Sequence, residues 1–212
     1  MPDKNEIDRL TDAHAEDAAG YARAYLDYVG TLTRQLDPRS IGAMIALLED
    51  ARAHGATVFF IGNGGSAATA SHFANDIAIG TRTGDAKPFR AMALTDNVAV
   101  LTALANDNGY ESIFVDQLRV HLREGDALVA ISASGNSPNV IAAVEYARSR
   151  GAKIVGLTGF DGGKLRALSD IAIHAQTAKG EYGPVEDLHM VVDHLVGSYL
   201  AARVRRERRN AP

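Results

Sequence analysis

Apolar residues recur at steps of three and four in the first part of the chain. Between Glu6 and about Leu36 the recurring residues are mostly Ile, Leu, Val, Tyr and Ala. This is the spacing of one face of an α-helix, so one long amphipathic helix is predicted there. Asp37-Pro38 interrupts the pattern, and Ser40 then precedes a second apolar stripe as a helix cap would. A helical hairpin is therefore expected at the N-terminus, packed either on the core or in an oligomer.

After His54-Gly55 the pattern changes to short continuous apolar runs, most of them separated by helical stretches. Such runs are typical of strands that are buried on both faces of a parallel sheet. Five strands are predicted, at 56–62, 89–94, 127–133, 152–158 and 171–175. The expected fold class is α/β, with a doubly wound, mainly parallel five-stranded sheet flanked by helices. We expect one structural domain, in which residues 1–54 form the N-terminal helices and residues 55–212 form the core with its C-terminal helix.

Composition narrows the possible functions. Of 212 residues, 46% are hydrophobic and 23% are charged, which is typical of a globular chain and argues against disorder or a fibrous rod. The chain has no cysteine, so any metal must be held by histidines and carboxylates. A net charge of −4, an acidic start and the lack of a long apolar run predict a cytoplasmic protein that binds neither nucleic acid nor membranes. The basic tail, Arg203 to Asn210, is interpreted as a helix C-terminus whose arginines complement the macrodipole, in preference to a nucleic-acid contact.

Two predicted strands end in turns that are rich in Gly and Ser and lead into helices. The first turn consists of Asn63, Gly64, Gly65 and Ser66. The second turn contains three serines, Ser132, Ser134 and Ser137. Hydroxyls and the free amides of a helix N-terminus can together hold a phosphate without a lysine. The alternative for the second turn is that Ser137 only caps a helix that has Pro138 at its first position.

Four residues could form a metal or acid–base site. His72 and Asp76 are four residues apart on a predicted helix and so share one face. Glu186 and His194 lie about two turns apart on the last predicted helix. Two imidazoles and two carboxylates are ligands that zinc accepts, provided that the two helices meet. The alternative is an ordinary exposed helix pair together with a histidine that has a structural role.

Five segments of the chain, in this order, resemble the sugar isomerase (SIS) family in its phosphoheptose isomerase branch. The segments are IGNGGS with HFANDI, ALTDNVAVLTALANDNGYESIFVDQL, EGDALVAISASGNSPNVI, GLTGFDGGKL and EDLHMVVDHLV. The resemblance extends from the leading helices to about Leu200, and implies that residues 55–212 are a SIS phosphosugar-binding core. It also implies an aldose–ketose isomerase that converts sedoheptulose 7-phosphate to a D-glycero-D-manno-heptose 7-phosphate through an enediol-type intermediate, for nucleotide-heptose biosynthesis. A homotetramer with active sites at the subunit interfaces is implied as well.

The resemblance carries specific roles to matching positions. It implies that the three serines of the second turn hold the phosphate, although Ala133 stands where the family commonly has Thr. The first turn would bind the substrate, and the sugar chain would contact Thr95 and Asp96. Arg82 is offset from an arginine of the family, so it either reaches the substrate or is a solvated loop charge.

The resemblance further implies one zinc ion in each active site, held by His72, Asp76, Glu186 and His194. Asp76 replaces a glutamate of the family, and Glu186 replaces a glutamine. Isomerisation moves a proton between C1 and C2, and we predict that Asp76 is the base and His194 the acid/base that serves the oxygens. Glu186 is predicted to bind substrate and is the second candidate for the base.

Two other functions remain open. One is a non-catalytic SIS binding protein of the replication-initiator-associating type, which uses the fold to bind a protein partner. Retention of His72 and His194 favours the enzyme over this alternative. The other is an isomerase of a different ketose phosphate, which the departures at Ala133, Asp76 and Arg82 favour.

Overall fold

A computed structural model describes residues 4–210 and contains one five-stranded sheet. The strands are β1 (Thr57–Gly62), β2 (Arg90–Ala93), β3 (Ala127–Ser132), β4 (Lys153–Gly159) and β5 (Ile171–Ala175). Every pairing is parallel, in the order β2-β1-β3-β4-β5. The five predicted strands are confirmed, and each end lies within one residue of the prediction. β3 is buried at every position, which explains why its sequence is a continuous apolar run.

Helices cover both faces of the sheet, as the doubly wound prediction requires. They are α1 (Glu6–Ala13), α2 (Ala18–Thr33), α3 (Pro38–His54), α4 (Gly65–Asn75), α5 (Val98–Asn108), α6 (Val115–His121), α7 (Pro138–Ser149), α8 (Gly163–Leu168) and α9 (Tyr182–Arg209). A π-helical turn, Asp76–Gly80, continues α4, and a 3₁₀ turn, Tyr110–Ser112, precedes α6. No helix among residues 4–210 is long and apolar enough to cross a membrane.

The single helix predicted from Glu6 to Leu36 is wrong, because this segment forms α1 and α2. Asp17 starts the second helix, since its side chain accepts a hydrogen bond from the Gly20 N–H. The apolar periodicity continues through the break, so the pattern alone did not reveal it. The basic tail does form the end of a helix, because α9 extends to Arg209.

The N-terminal helices pack on the core. α3 contacts β1, β5 and α9, and α2 contacts α9. The buried carboxylate of Glu181 joins these parts, because it accepts hydrogen bonds from the Glu6 N–H, the Tyr28 hydroxyl and the Ala178 N–H. The division at residues 54 and 55, and any role of these helices in an oligomer, remain predictions.

α4 and α9 lie on the same face of the sheet and pack against each other. Phe73 of α4 and Val192 and Val196 of α9 are completely buried in one apolar cluster with the sheet. A second cluster, which includes Phe114 and Val144, covers the opposite face. The contact between α4 and α9 brings together side chains that are more than a hundred residues apart in sequence.

Candidate active site

The two Gly/Ser turns lie side by side at the carboxyl edge of the sheet. β1 and β3 are neighbours, and the strand order reverses between them, which is where ligands bind in sheets of this kind. The Asn63 side chain donates to the Asn139 Oδ1 at 2.9 Å, and the Asn139 side chain donates to the Asn63 Oδ1 at 2.8 Å. Tyr110 also donates to the Asn63 Oδ1, at 3.0 Å. The predicted substrate turn is thus hydrogen-bonded to the helix that follows the predicted phosphate turn.

Glycines in the first turn permit close approach. A Cβ on Gly62 would lie 2.5 Å from the backbone oxygen of Ser66, and a Cβ on Gly65 would lie 2.2 Å from the Glu186 Oε2. Gly64 has a φ of 55°, a conformation that favours glycine. The Glu186 carboxylate therefore lies against the backbone where α4 begins.

The second turn has the polar groups that a phosphate site needs. Ser132 Oγ accepts a hydrogen bond from the Gly135 N–H at 3.2 Å and lies 3.3 Å from Ser137 Oγ. Ser134 Oγ accepts from the Asn136 N–H at 3.3 Å. Ser137 occupies the N-cap position of α7, yet its side chain makes no capping hydrogen bond. The Ser137 hydroxyl is therefore not engaged in the helix cap that was the alternative interpretation.

A cavity of about 360 Å³ opens beside this turn. Ser134 and Asn136 line it together with Thr177 and Lys179. Lys179 places a cation near a turn for which the sequence suggested only neutral donors. Its sequence position, in the loop that precedes α9, carried no signal for this role.

Thr95 and Asp96, which follow β2, meet α4 through Ser71. The Ser71 Oγ lies 2.8 Å from the Thr95 Oγ1 and donates a short hydrogen bond to the Asp96 Oδ1. The sequence analysis did not include Ser71 among the site residues. Ser71 directly precedes His72, on a helix for which the sequence predicted that one face lines the site. This position was the signal that could have identified Ser71 as a site residue.

A compact polar group forms where α4 meets α9. Ligand atoms of His72, Asp76, Asp193 and His194 all lie within 4.8 Å of one another. The rings of His72 and His194 meet edge to face, with centroids 5.1 Å apart, and the His72 Nδ1 lies 3.9 Å from the Asp76 Oδ2. Asp76 begins the π-helical turn, a distortion that is frequent at functional sites. Three of the four predicted metal ligands are therefore brought together.

Asp193 is the member of this group that the sequence analysis missed. Its side chain is completely buried, and its Oδ2 accepts a hydrogen bond from the His72 Nδ1 at 2.7 Å. Burial raises the pKa of Asp193 to about 6, although the hydrogen bond from His72 opposes this effect. The only signal in the sequence was its place directly before His194.

The structure does not bring Glu186 into this group. Glu186 precedes Asp193 by seven residues on α9, which corresponds to a rise of about 10 Å. Its carboxylate lies instead over Gly65, where burial raises its pKa. The second carboxylate beside the histidines is Asp193, because the spacing along α9 directs Glu186 to the sheet edge.

The residues present fit a divalent metal ion. The imidazoles of His72 and His194 and the carboxylate of Asp76 are suitable ligands for zinc, and Asp193 lies beside them. In addition, the Asp193 Oδ1 is buried and has no hydrogen-bond partner among residues 4–210, which is unfavourable unless a further group approaches it. Arg82 lies exposed just after the π-helical turn. The choice between a contact with the substrate and a solvated loop charge stays open for this residue.

Comparisons with known proteins agree with this fold. The sequence model of the SIS domain matches residues 16–159, so the chain belongs to the SIS domain family. A phosphoheptose isomerase of Rhodospirillum rubrum is 43% identical over 142 residues, which cover 67% of this chain and 74% of the relative. Within the SIS domain family, the chain therefore belongs to the phosphoheptose isomerases.

Two further proteins extend the comparison. The structure of a phosphoheptose isomerase from Neisseria gonorrhoeae is similar with a TM-score of 0.76 and 30% identity, covering 85% of this chain and 97% of that one. The lincomycin biosynthesis protein LmbN of Streptomyces lincolnensis is 37% identical over 196 residues, which cover 89% of this chain and 70% of that protein. The predicted family and fold are confirmed.

Proposed function

We propose that this isomerase interconverts sedoheptulose 7-phosphate and a D-glycero-D-manno-heptose 7-phosphate through an enediol-type intermediate, for nucleotide-heptose biosynthesis. The observation that carries the proposal is the group of His72, Asp76, Asp193 and His194 between α4 and α9. These residue types supply a base, an acid and metal ligands within a few ångströms of one another. A protein that used the fold only for binding would need none of them.

Proton transfer is assigned to Asp76 and His194. The Asp76 carboxylate, which is partly buried, takes the proton from one carbon and returns it to the neighbouring carbon. His194, which is exposed, exchanges protons with the substrate oxygens. A zinc ion held by this group, with Asp76, His72 and His194 as predicted ligands, would stabilise the negative charge that develops on the enediol oxygen.

The sheet edge is assigned to substrate binding. Ser132, Ser134 and Ser137 hold the phosphate together with the amides at the start of α7. The sugar hydroxyls are bound by the first turn and by three further side chains, those of Thr95, Asp96 and Glu186. The mutual hydrogen bonds of Asn63 and Asn139 support this division, because they hold the two turns at a defined separation.

We extend the proposal to a homotetramer with active sites at subunit interfaces. Three apolar side chains, Val191, Leu195 and Tyr199, are spaced four residues apart on α9 and are 37–47% exposed. They form a stripe on one helix face that passes His194. An exposed apolar stripe beside the proposed site supports a subunit contact there. The cytoplasmic location stays a prediction.

The test is an NMR assay of proton exchange and product formation from sedoheptulose 7-phosphate. The purified protein is assayed as isolated, after chelation and after addition of Zn²⁺. The proposal expects turnover that chelation abolishes and Zn²⁺ restores. Binding of the sugar phosphate without exchange in any of the three conditions would contradict the proposed function.

A second candidate is an isomerase of another ketose phosphate. The similarity to LmbN over 89% of this chain favours it, because that relative is named a lincomycin biosynthesis protein and not a phosphoheptose isomerase. The same assay with a panel of five- to eight-carbon ketose phosphates separates the two candidates. A higher kcat/KM for another sugar would replace the proposed substrate while retaining the chemistry.

A further inference from the structure

The contact between His72 and Asp193 has the geometry of a charge-assisted hydrogen bond. The His72 Nδ1 and the Asp193 Oδ2 are 2.7 Å apart, which is within the range for a nitrogen donor and a carboxylate. The two side chains differ greatly in exposure, since Asp193 is completely buried whereas His72 is 42% exposed. Asp193 therefore contacts the inner edge of the imidazole ring and leaves the rest of the ring open to the site.

The same distance argues against both atoms being ligands of one metal ion. Two ligand atoms at about 2.0 Å from a tetrahedral zinc are about 3.3 Å apart. A separation of 2.7 Å is too short for that arrangement but suits a hydrogen bond. The Nδ1 of His72 is thus used by Asp193, and the Nε2 is the ring atom that remains for a metal or a substrate.

The packing of the two helices holds this contact in place. α9 packs directly on the π-helical turn that continues α4, since a Cβ on Gly197, one turn after Asp193, would lie in ordinary contact with the Asp76 Cβ, at 3.4 Å. Val192 and Val196 flank this turn in the apolar core. Asp193 consequently has little freedom to leave His72, because its side chain is completely buried between the two helices.

We propose that Asp193 is a positioning residue that holds His72 in the Nδ1–H tautomer and orients its Nε2 toward the site. The inference rests on the proposed function, because the metal or substrate served by the Nε2 is the one assigned there. Carboxylates that accept from the second ring nitrogen of a ligating histidine fix its orientation and raise its basicity. This role differs from that of Asp76, which acts on the substrate.

The first test reads the tautomer directly in metal-free protein. Long-range ¹H–¹⁵N NMR correlations at pH 8 distinguish a protonated Nδ1 from a protonated Nε2. The signals of His72 are assigned from their loss in a His72→Gln variant. We expect the Nδ1–H form in the unmodified protein and a shift toward the Nε2–H form in Asp193→Leu. An Nε2–H imidazole in the unmodified protein would overturn the inference.

The second test measures Zn²⁺ affinity by competition with a chelating dye. Asp193→Leu is expected to weaken binding by about 10- to 100-fold, the usual effect of removing such a partner. Asp193→Asn keeps an acceptor oxygen and should weaken it less. The control is Glu207→Gln, which changes an exposed carboxylate of the same helix and should leave the affinity unchanged. Equal affinity in Asp193→Leu, or a far larger loss with an unchanged His72 tautomer, would refute the positioning role.

Neither measurement uses a sugar phosphate, so failure of this inference and failure of the proposed function are distinguishable. Asp193→Leu removes a buried charge and keeps the number and branching of the side-chain heavy atoms, so we expect it to fold, and thermal unfolding checks this. If Asp193→Leu does not fold, both measurements are made on Asp193→Asn, for which a smaller loss of Zn²⁺ affinity is expected. Unchanged Zn²⁺ affinity in Asp193→Asn would then overturn the inference.

Discussion

Asn63 and Asn139 exchange two side-chain hydrogen bonds, of 2.9 and 2.8 Å, across the ends of neighbouring strands. Asn139 is 1% exposed, and its Oδ1 also accepts from the Val140 N–H. This amide pair fixes the separation between the turn after β1 and the first turn of α7. The pair joins the turn that is proposed to bind the sugar to the helix that follows the turn proposed to hold the phosphate.

Replacing Asn139 by Ala should therefore weaken substrate binding without removing any direct phosphate contact. We expect KM to rise about tenfold with a small change in kcat. The variant should also lose about 1–3 kcal/mol of unfolding free energy, because Asn63 loses its partner. Steady-state kinetics and urea unfolding measure the two effects. Asn106→Ala is the control, since Asn106 is exposed on α5, and an equal KM in the two variants would contradict the role of the pair.

Gly135 should be intolerant of a side chain. Its φ is 63°, and an added Cβ would lie 2.0 Å from the backbone oxygen of Gly162. Gly135→Ala should raise KM at least tenfold, because the serine turn must move to relieve the clash. Gly125→Ala is the matched control, since Gly125 also has a positive φ, 85°, but open space around it. It should cost only about 1 kcal/mol of stability and leave KM unchanged.

The assignment of the base predicts unequal effects at two carboxylates. Asp76→Asn should lower kcat by about 10²-fold or more, because an amide cannot accept the carbon-bound proton. Glu186→Gln should act mainly on KM, since Glu186 lies against Gly65 and not in the histidine group. Zinc content, measured for each variant, separates loss of metal from loss of the base. A larger loss of kcat in Glu186→Gln than in Asp76→Asn would transfer the role of base to Glu186. The control is Asp85→Asn, which changes an exposed carboxylate.

His189 predicts a specific dependence of stability on pH. It is 1% exposed, and its Nδ1 has no hydrogen-bond partner in the part of the chain that the structure describes. Burial lowers its pKa to about 4. As pH falls below the ordinary value of about 6.5, the unfolded chain binds a proton that the folded chain does not bind until about pH 4. The folded state therefore loses about 2 kcal/mol from this residue between pH 7.5 and pH 5.

A His189→Gln variant lacks this titration. Relative to the unmodified protein, it should gain about 2 kcal/mol between pH 7.5 and pH 5, whatever its stability at the higher pH. Urea unfolding at the two pH values measures the difference. Parallel pH profiles for the two proteins would contradict the prediction. His121→Gln, at an exposed position of α6, should follow the unmodified protein.

Much of the fold and part of the site could be predicted from the sequence because their signals are local. Continuous apolar runs located all five strands to within one residue, and the three central strands β1, β3 and β4 have such runs because nearly all of their residues are buried. The Gly/Ser turns were recognised because a ligand site at a strand end needs close backbone approach and free amides. His72 and Asp76 could be paired, since four residues make one helical turn.

Local patterns do not show which side chains of distant segments meet, because that depends on how the helices pack. Asp193 joins His72, and Glu186 lies over Gly65, because α9 packs against α4 in one register. That register depends on complementary burial along both helices, which no periodicity in either segment records. The strands, the family and the types of reactive group could be read from local sequence patterns, whereas the break between α1 and α2 could not. The packing of α9 on α4 decided which carboxylate is hydrogen-bonded to the histidine, because such a contact depends on three-dimensional distance and not on spacing along the chain.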